Sequence, residues 1–167
     1  PLAGITNLPF RLLAKEAGCA LVCSEMISAN GLAYKSVKTH ELLNSRSEEK
    51  PLSVQIFGSD HSIMAEAAAM VEASGADILD INLGCPVKKV LKTGSGAALM
   101  KEPQKVEAIL NAVRNTVKIP LTIKMRTGWD KSGAQAHQIA KIAQACGVDA
   151  ITMHPRTVVQ GLRGKAD

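Results

Sequence analysis

The feature that most restricts how this chain can fold is a unit that occurs twice. Pro51-Leu52-Ser53-Val54-Gln55-Ile56 is echoed by Pro120-Leu121-Thr122-Ile123-Lys124-Met125, and Ser74-Gly75-Ala76-Asp77 by Cys146-Gly147-Val148-Asp149. Laid over each other, the copies set Gln55 opposite Lys124 and Asn82 opposite His154. Each copy reads as strand, helix, strand, and the alternation extends along the chain. Strands are predicted over 20–26, 52–57, 121–126 and 150–154, with another through Asp77-Ile78-Leu79-Asp80-Ile81-Asn82-Leu83. Helices are predicted over 7–17, 60–74, 103–116 and 133–146, and a broken helix interrupted by Gly31 over 28–43. Alternation of this kind argues for a parallel sheet with crossover helices. Repeated βα units favour a closed barrel over an open, doubly wound sheet.

The strand faces carry the argument further. Ser53 and Gln55 share a face by the period of two, as do Thr122, Lys124 and Arg126, and Thr152, His154 and Arg156. Val54, Ile56, Leu121, Ile123, Met125, Ile151 and Met153 fall on the other side. In a parallel sheet covered by helices, the polar side is an interior lined with function rather than a wet surface. Pro1-Leu2-Ala3-Gly4 reads as the end of a cut first strand. The expected fold is therefore α/β, an incomplete TIM (β/α)8-barrel of about six parallel strands lacking its C-terminal strands, since a full barrel takes about 250 residues. With no initiator Met, residues 1–167 are expected to be part of a longer protein.

The stretch Asp77 to Pro86 is where the chemistry gathers. An apolar strand carrying Asp80 and Asn82 on one face ends at Gly84-Cys85-Pro86, which puts a thiol in a turn at a strand mouth, where α/β proteins keep reactive groups. A basic loop follows, with Lys88, Lys89 and Lys92, and then Gly94-Ser95-Gly96, read as a helix-entry turn rather than a phosphate loop. Hydrophobic residues make up 46% and charged residues 21%, so the chain is globular, while 2% aromatics require an aliphatic core. A formal charge of +5 suits a polyanionic partner. No run is apolar enough to span a membrane. No CxxC pair or histidine cluster suggests a metal. Cys19, Cys23 and Cys146 read as small core residues of a reduced, cytoplasmic protein.

Several ordered motifs together resemble one family. They are the opening Pro1 to Arg11, Val54-Gln55-Ile56-Phe57-Gly58, Asp80-Ile81-Asn82-Leu83-Gly84-Cys85-Pro86, and Lys89-Val90. Gly94 to Met100, Lys124-Met125-Arg126-Thr127-Gly128-Trp129 and His154-Pro155-Arg156-Thr157 complete the set. The chain resembles the tRNA-dihydrouridine synthases, the bacterial B-type subfamily in particular, over essentially all its length. Leu2 stands where the family often has Met, a change that backbone contacts should not feel.

The resemblance implies a flavin enzyme on a TIM barrel that reduces the C5–C6 double bond of particular uridines in tRNA. FMN would be recharged by NADPH or NADH. Cys85 matches the family's general acid. Pro1, Leu2, Ala3, Gly4, Gln55, Lys124 and His154 match its flavin contacts. Asn82 and Arg126, with Arg156 and Lys89, are placed for the substrate. The chain would be the N-terminal part of the catalytic domain, with the phosphate loops and a helical tRNA-binding domain beyond Asp167. Alone it should hold FMN poorly and expose an unpaired strand edge. Trp129 is equally suited to stacking on a base or to packing. Two other readings are a small-molecule FMN oxidoreductase of the dihydroorotate or dihydropyrimidine dehydrogenase type, and a non-catalytic RNA-binding derivative.

Overall fold

The computed structural model describes residues 1–130 and 132–167. The elements in order are α1 (Leu8–Glu16), β1 (Val22–Ser28), α2 (Ala29–Ala33), α3 (Val37–Glu41), β2 (Leu52–Phe57), α4 (His61–Ala73), β3 (Ile78–Leu83) and α5 (Lys88–Leu91), then α6 (Pro103–Thr116), β4 (Leu121–Arg126), α7 (Ala134–Ala145) and β5 (Ala150–His154). Short 3-10 turns lie at Ser47–Glu49 and Gly96–Lys101. The strands form one parallel sheet in the order β1-β2-β3-β4-β5. A doubly wound sheet reverses its strand order at a switch point. This order never reverses, and the sheet is that of an incomplete TIM barrel.

Among the described residues the sheet has five strands, not six. Pro1 to Gly4 do not form a strand: the Leu2 carbonyl accepts from the backbone N–H groups of Ile5 and Thr6, both at 3.0 Å, which closes a turn. β1 begins two residues later than the apolar run suggested and extends to Ser28. The interruption between α2 and α3 is also elsewhere than expected. Gly31 lies inside α2, where a Cβ would come within 2.5 Å of Thr39 Oγ1, so its lack of a side chain lets the two short helices pack. The break falls at Lys35, the one non-glycine described residue at positive φ (55°).

The repeat has a structural meaning at the base of the strands. The Asp77 carboxylate accepts from the backbone N–H of Leu52, the first residue of β2, at 2.8 Å, and the Asp149 carboxylate accepts from Leu121 of β4 at the same distance. Each aspartate thus satisfies a strand-initial donor that has no ladder partner. Gly75 and Gly147, at φ +84° and +74°, end the helices ahead of them.

The core between sheet and helices is aliphatic. Val106, Ile109, Leu110 and Val113 recur on one face of α6, and Met64, Ala67, Ala68 and Val71 on one face of α4. They close over Leu79, Ile81, Leu83, Leu121 and Ile123, where each buried Leu or Ile contributes about 1.5–3 kcal/mol. Cys146 joins this core, but Cys19 is exposed and Cys23 half-buried. Cys19 follows the glycine that ends α1; its backbone N–H donates to the Ala14 carbonyl and its thiol to that of Leu21. A buried Arg11–Glu49 ion pair ties α1 to the connector before β2, with Arg11 also donating to the carbonyls of Thr6 and Asn44. The outer edge of β5 is unpaired among the described residues, and its Ile151 and Met153 are each 38% exposed.

Candidate active site at the strand tips

The register sets the polar side chains in rows across the sheet. Gln55 lies beside Asp80 and Asp80 beside Thr122; Asn82 lies beside Lys124 and Lys124 beside Thr152; Arg126 lies beside His154. The first two rows are joined by hydrogen bonds. Gln55 Nε2 donates to Asp80 Oδ2 at 2.5 Å, Asn82 Nδ2 donates to Gln55 Oε1 at 2.8 Å, and the Thr122 hydroxyl meets Asp80 Oδ1. Burial holds the Asp80 carboxyl above its usual range, against the pull of the Thr122 and Gln55 hydrogen bonds and the Lys124 charge.

Asn82 also shapes the turn that carries Cys85. Its Oδ1 accepts from the backbone N–H groups of Gly84 (3.0 Å) and Cys85 (2.9 Å). The Cys85 carbonyl accepts from Ala97 at 3.1 Å. A Cβ on Gly96 would stand 2.9 Å from that carbonyl, so glycine there permits the 3-10 turn to pass under the cysteine. From the other side Arg126 clamps the turn. Its Nε donates to the Gly84 carbonyl at 2.9 Å, and its Nη1 to the carbonyls of Thr157 and Gly161, both at 3.0 Å. Burial is the main cause that lowers the Arg126 pKa from its usual value.

Cys85 opens onto a cavity of about 410 Å³, shared with Ala3, Met26, Phe57, Val87 and Lys89. Ala3 belongs to the opening turn, which Glu25 holds by accepting from the Gly4 backbone N–H. Pro1 is half-buried, whereas Leu2, Ala3 and Gly4 are exposed. Lys88 and Lys92 face solvent on α5 and just after it. The basic loop expected after Pro86 is in part this single helical turn.

The tips of β4 and β5 are different. Among the described residues, neither the Lys124 ammonium nor the His154 imidazole has a hydrogen-bond or ion-pair partner. Arg156 Nε is buried with no hydrogen-bond partner among the described residues, while its Nη2 donates to Gly164 at 3.3 Å. Burial, then the charges of Arg126, Lys124 and Arg156, push His154 below its ordinary value, so its ring is neutral near pH 7. Unpaired donors converging on one interior suit a ligand rich in acceptors. Trp129 is not free on both faces, because the Lys101 ammonium lies 3.4 Å from its ring centroid.

The structure thus brings Gln55, Asn82 and Cys85 into one connected group, with Lys124 beside it on the sheet, and sets Ala3 and Lys89 around the cavity. Gln55, 1% exposed, is not among the residues that line the cavity. The sequence reading placed Asp80 and Thr122 on interior faces without giving them a role, and it did not single out Glu25. The period-two face shared by Asp80 and Asn82 was a signal for the first, and that shared by Thr122 and Lys124 for the second. A larger hollow of about 540 Å³, near Val37, His40 and Met70, lies on the outer helices away from the strand tips. Among the described residues no cluster of His, Cys, Asp or Glu could hold a metal, and no helix is long and apolar enough to cross a membrane.

The family model described as dihydrouridine synthase matches residues 1–167. The chain is 44% identical over its whole length to tRNA-dihydrouridine synthase B of Vibrio parahaemolyticus and 43% identical to that of Escherichia coli, covering 52% of each. It therefore spans about half the length of the curated relatives it matches. Among solved structures, the FabK (M276A) mutant from Thermotoga maritima overlaps 92% of this chain and 41% of its own, with a TM-score of 0.48 at 17% identity, a likeness too low to bear on function.

Proposed function

This chain belongs to the dihydrouridine synthase family, and from that premise we propose that its protein reduces the C5–C6 double bond of uridines in tRNA, in the cytoplasm, with Cys85 as proton donor. The observation that carries the proposal is the placement of Cys85, whose turn is pinned at two backbone N–H groups by Asn82 and faces a cavity at the strand tips.

A side chain cannot deliver a hydride, so the reaction needs a flavin, which we take to be FMN recharged by NADPH or NADH, to supply one to C6 of the uracil. The donor set here fits such a group. Lys124 Nζ, the His154 ring and the orphaned Arg156 Nε offer unpaired donors to the carbonyls and ring nitrogens of a flavin. The backbone N–H of Ala3 makes no hydrogen bond among the described residues, which leaves it for a ligand beside Pro1, Leu2 and Gly4. Gln55 supports the floor of that site.

The remaining work falls to this chain's own residues. Charge that develops on the C5 side of the uracil is quenched by the proton of Cys85 Sγ, and the thiolate recovers a proton from solvent. Arg126 keeps Nη2 for the substrate edge, since its other nitrogens are held by backbone carbonyls. Lys89, which lines the cavity beside Cys85, suits a phosphate, and Arg156 is the further substrate contact. We assign the chain to the N-terminal part of the catalytic domain. The phosphate loops and a helical tRNA-gripping domain belong to the rest of the protein.

The test is Cys85→Ala in the full-length protein. Dihydrouridine in digested tRNA, followed by mass analysis, should form about 10²–10⁴ times more slowly while tRNA affinity persists. Equal rates in the two proteins would refute the role. Turnover on free uracil but not on unmodified tRNA would favour a small-molecule oxidoreductase instead.

A further inference from the structure

A line of hydrogen bonds runs from the Cys85 turn to the floor of the barrel, and its polarity is dictated by the backbone. The N–H groups of Gly84 and Cys85 can only donate, so the Asn82 atom they meet is Oδ1. Asn82 therefore turns Nδ2 towards Gln55, and Gln55 must answer with Oε1. That leaves Gln55 Nε2 facing Asp80, the only acceptor on that side within hydrogen-bond reach of it among the described residues. The far oxygen of Asp80 is met by Thr122 on the next strand. Reversing one amide would set donor against donor at its neighbour. The line crosses three strands, and Gln55, Asp80 and Asn82 are 1%, 8% and 8% exposed, so water cannot readily substitute for a lost partner. β2 is held in place for it by a backbone bond from Gln55 N to Ser24 Oγ at 3.1 Å, where the pairing of β1 with β2 is irregular.

We infer that Asp80 is a positioning residue for Cys85: it anchors the Thr122–Asp80–Gln55–Asn82 line and thereby holds the turn that presents the thiol. The coupling itself stands on the geometry alone; its consequence for catalysis rests on the function proposed above. What Asp80 supplies is an acceptor in the right place, not a charge. Asparagine can do the same, turning Oδ1 to Gln55 and Nδ2 to the Thr122 hydroxyl, which then accepts. Leucine cannot, and the Gln55 amide would have to rotate or lose a partner, loosening Asn82 from the Cys85 turn.

The experiment measures the rate of Cys85 alkylation by iodoacetamide in the full-length protein, resolved by peptide mass mapping, with exposed Cys19 as the internal control. Asp80→Leu should change the Cys85 rate by about fivefold or more while Cys19 stays within about twofold, the size expected for one lost buried hydrogen bond. Asp80→Asn should match the wild type at both cysteines. Thr122→Val should shift Cys85 in the same direction by less, and it carries the test if the leucine variant does not fold. The inference is overturned if the folded Asp80→Leu protein, or failing that Thr122→Val, alkylates Cys85 at the wild-type rate, or if Asp80→Asn behaves like Asp80→Leu. Dihydrouridine formation measured on the same samples separates the two readings. Coupled alkylation with no dihydrouridine even in the wild type would refute the function and leave the coupling standing. Normal dihydrouridine formation with uncoupled alkylation would do the reverse.

Discussion

The two copies of the repeat are alike at the base of their strands and opposite at the tips. In both, an aspartate after the helix holds the first N–H of the preceding strand, Asp77 on Leu52 and Asp149 on Leu121. At the tips of the first copy, Gln55 and Asn82 are bonded to each other, and each polar atom of the two amides has a partner. At the tips of the second, the equivalent positions hold Lys124 and His154, which have no partner among the described residues. One copy spends its polar groups on building a floor and fixing the Cys85 turn. The other leaves its donors without a partner among the described residues. The same backbone therefore carries a bonded network on one side and, on the other, the donors to which the proposed function gives a ligand.

The sharpest way to break this comparison is to make both tips apolar. Gln55→Leu should lower stability by about 2–4 kcal/mol, because Asp80 Oδ2 and Asn82 Nδ2 each lose their buried partner. Lys124→Met should leave stability within about 0.5 kcal/mol of the wild type yet weaken flavin retention about tenfold or more. Urea unfolding and flavin fluorescence on the full-length protein read the two effects separately. If Lys124→Met unfolds as readily as Gln55→Leu, the division into scaffold and binding tips is wrong.

A smaller effect probes the likeness at the base. Asp77→Ala and Asp149→Ala should each lose about 1 kcal/mol by urea unfolding, one strand-initial hydrogen bond apiece. A clear inequality would mean that the Lys50 and Arg114 contacts to these carboxylates, at 3.5 and 3.1 Å, matter more than the shared backbone bond. The smallest expected effect concerns His154. Its folded-state value lies below the ordinary 6.5, so the unfolded chain takes up a proton first as the pH falls. Stability should be unaffected well above 6.5, decline as the pH drops through it, and level off once the folded state also protonates. His154→Gln should flatten that decline in a series of thermal melts, and an unchanged pH profile would mean that the ring is as free as in water.

How far the sequence was legible follows from the range of the forces involved. The extents of β2, α6, β4 and β5 were read as they stand, because period-two and period-3.6 patterns, proline starts and glycine stops are local. The barrel order was legible through the repeat. Where two distant segments touch, local reading failed. Gly31 was taken for a helix breaker because its packing against Thr39 depends on how α3 returns. Cys19 was taken for core although it is exposed, and Pro1 to Gly4 were taken for a strand although hydrogen bonds from Ile5 and Thr6 close them into a turn.

The candidate site divides along the same line. By itself the sequence determined which side chains share the interior face, and that a cysteine stands at the mouth of β3, since both depend only on alternation along a strand. Which of those side chains satisfy one another was decided by strand register, which sets Gln55 beside Asp80 and Asp80 beside Thr122 while leaving Lys124 and His154 beside residues that do not pair with them. Hydrogen bonds act over about 3 Å, and no pattern along one strand states what its neighbour will place within that reach.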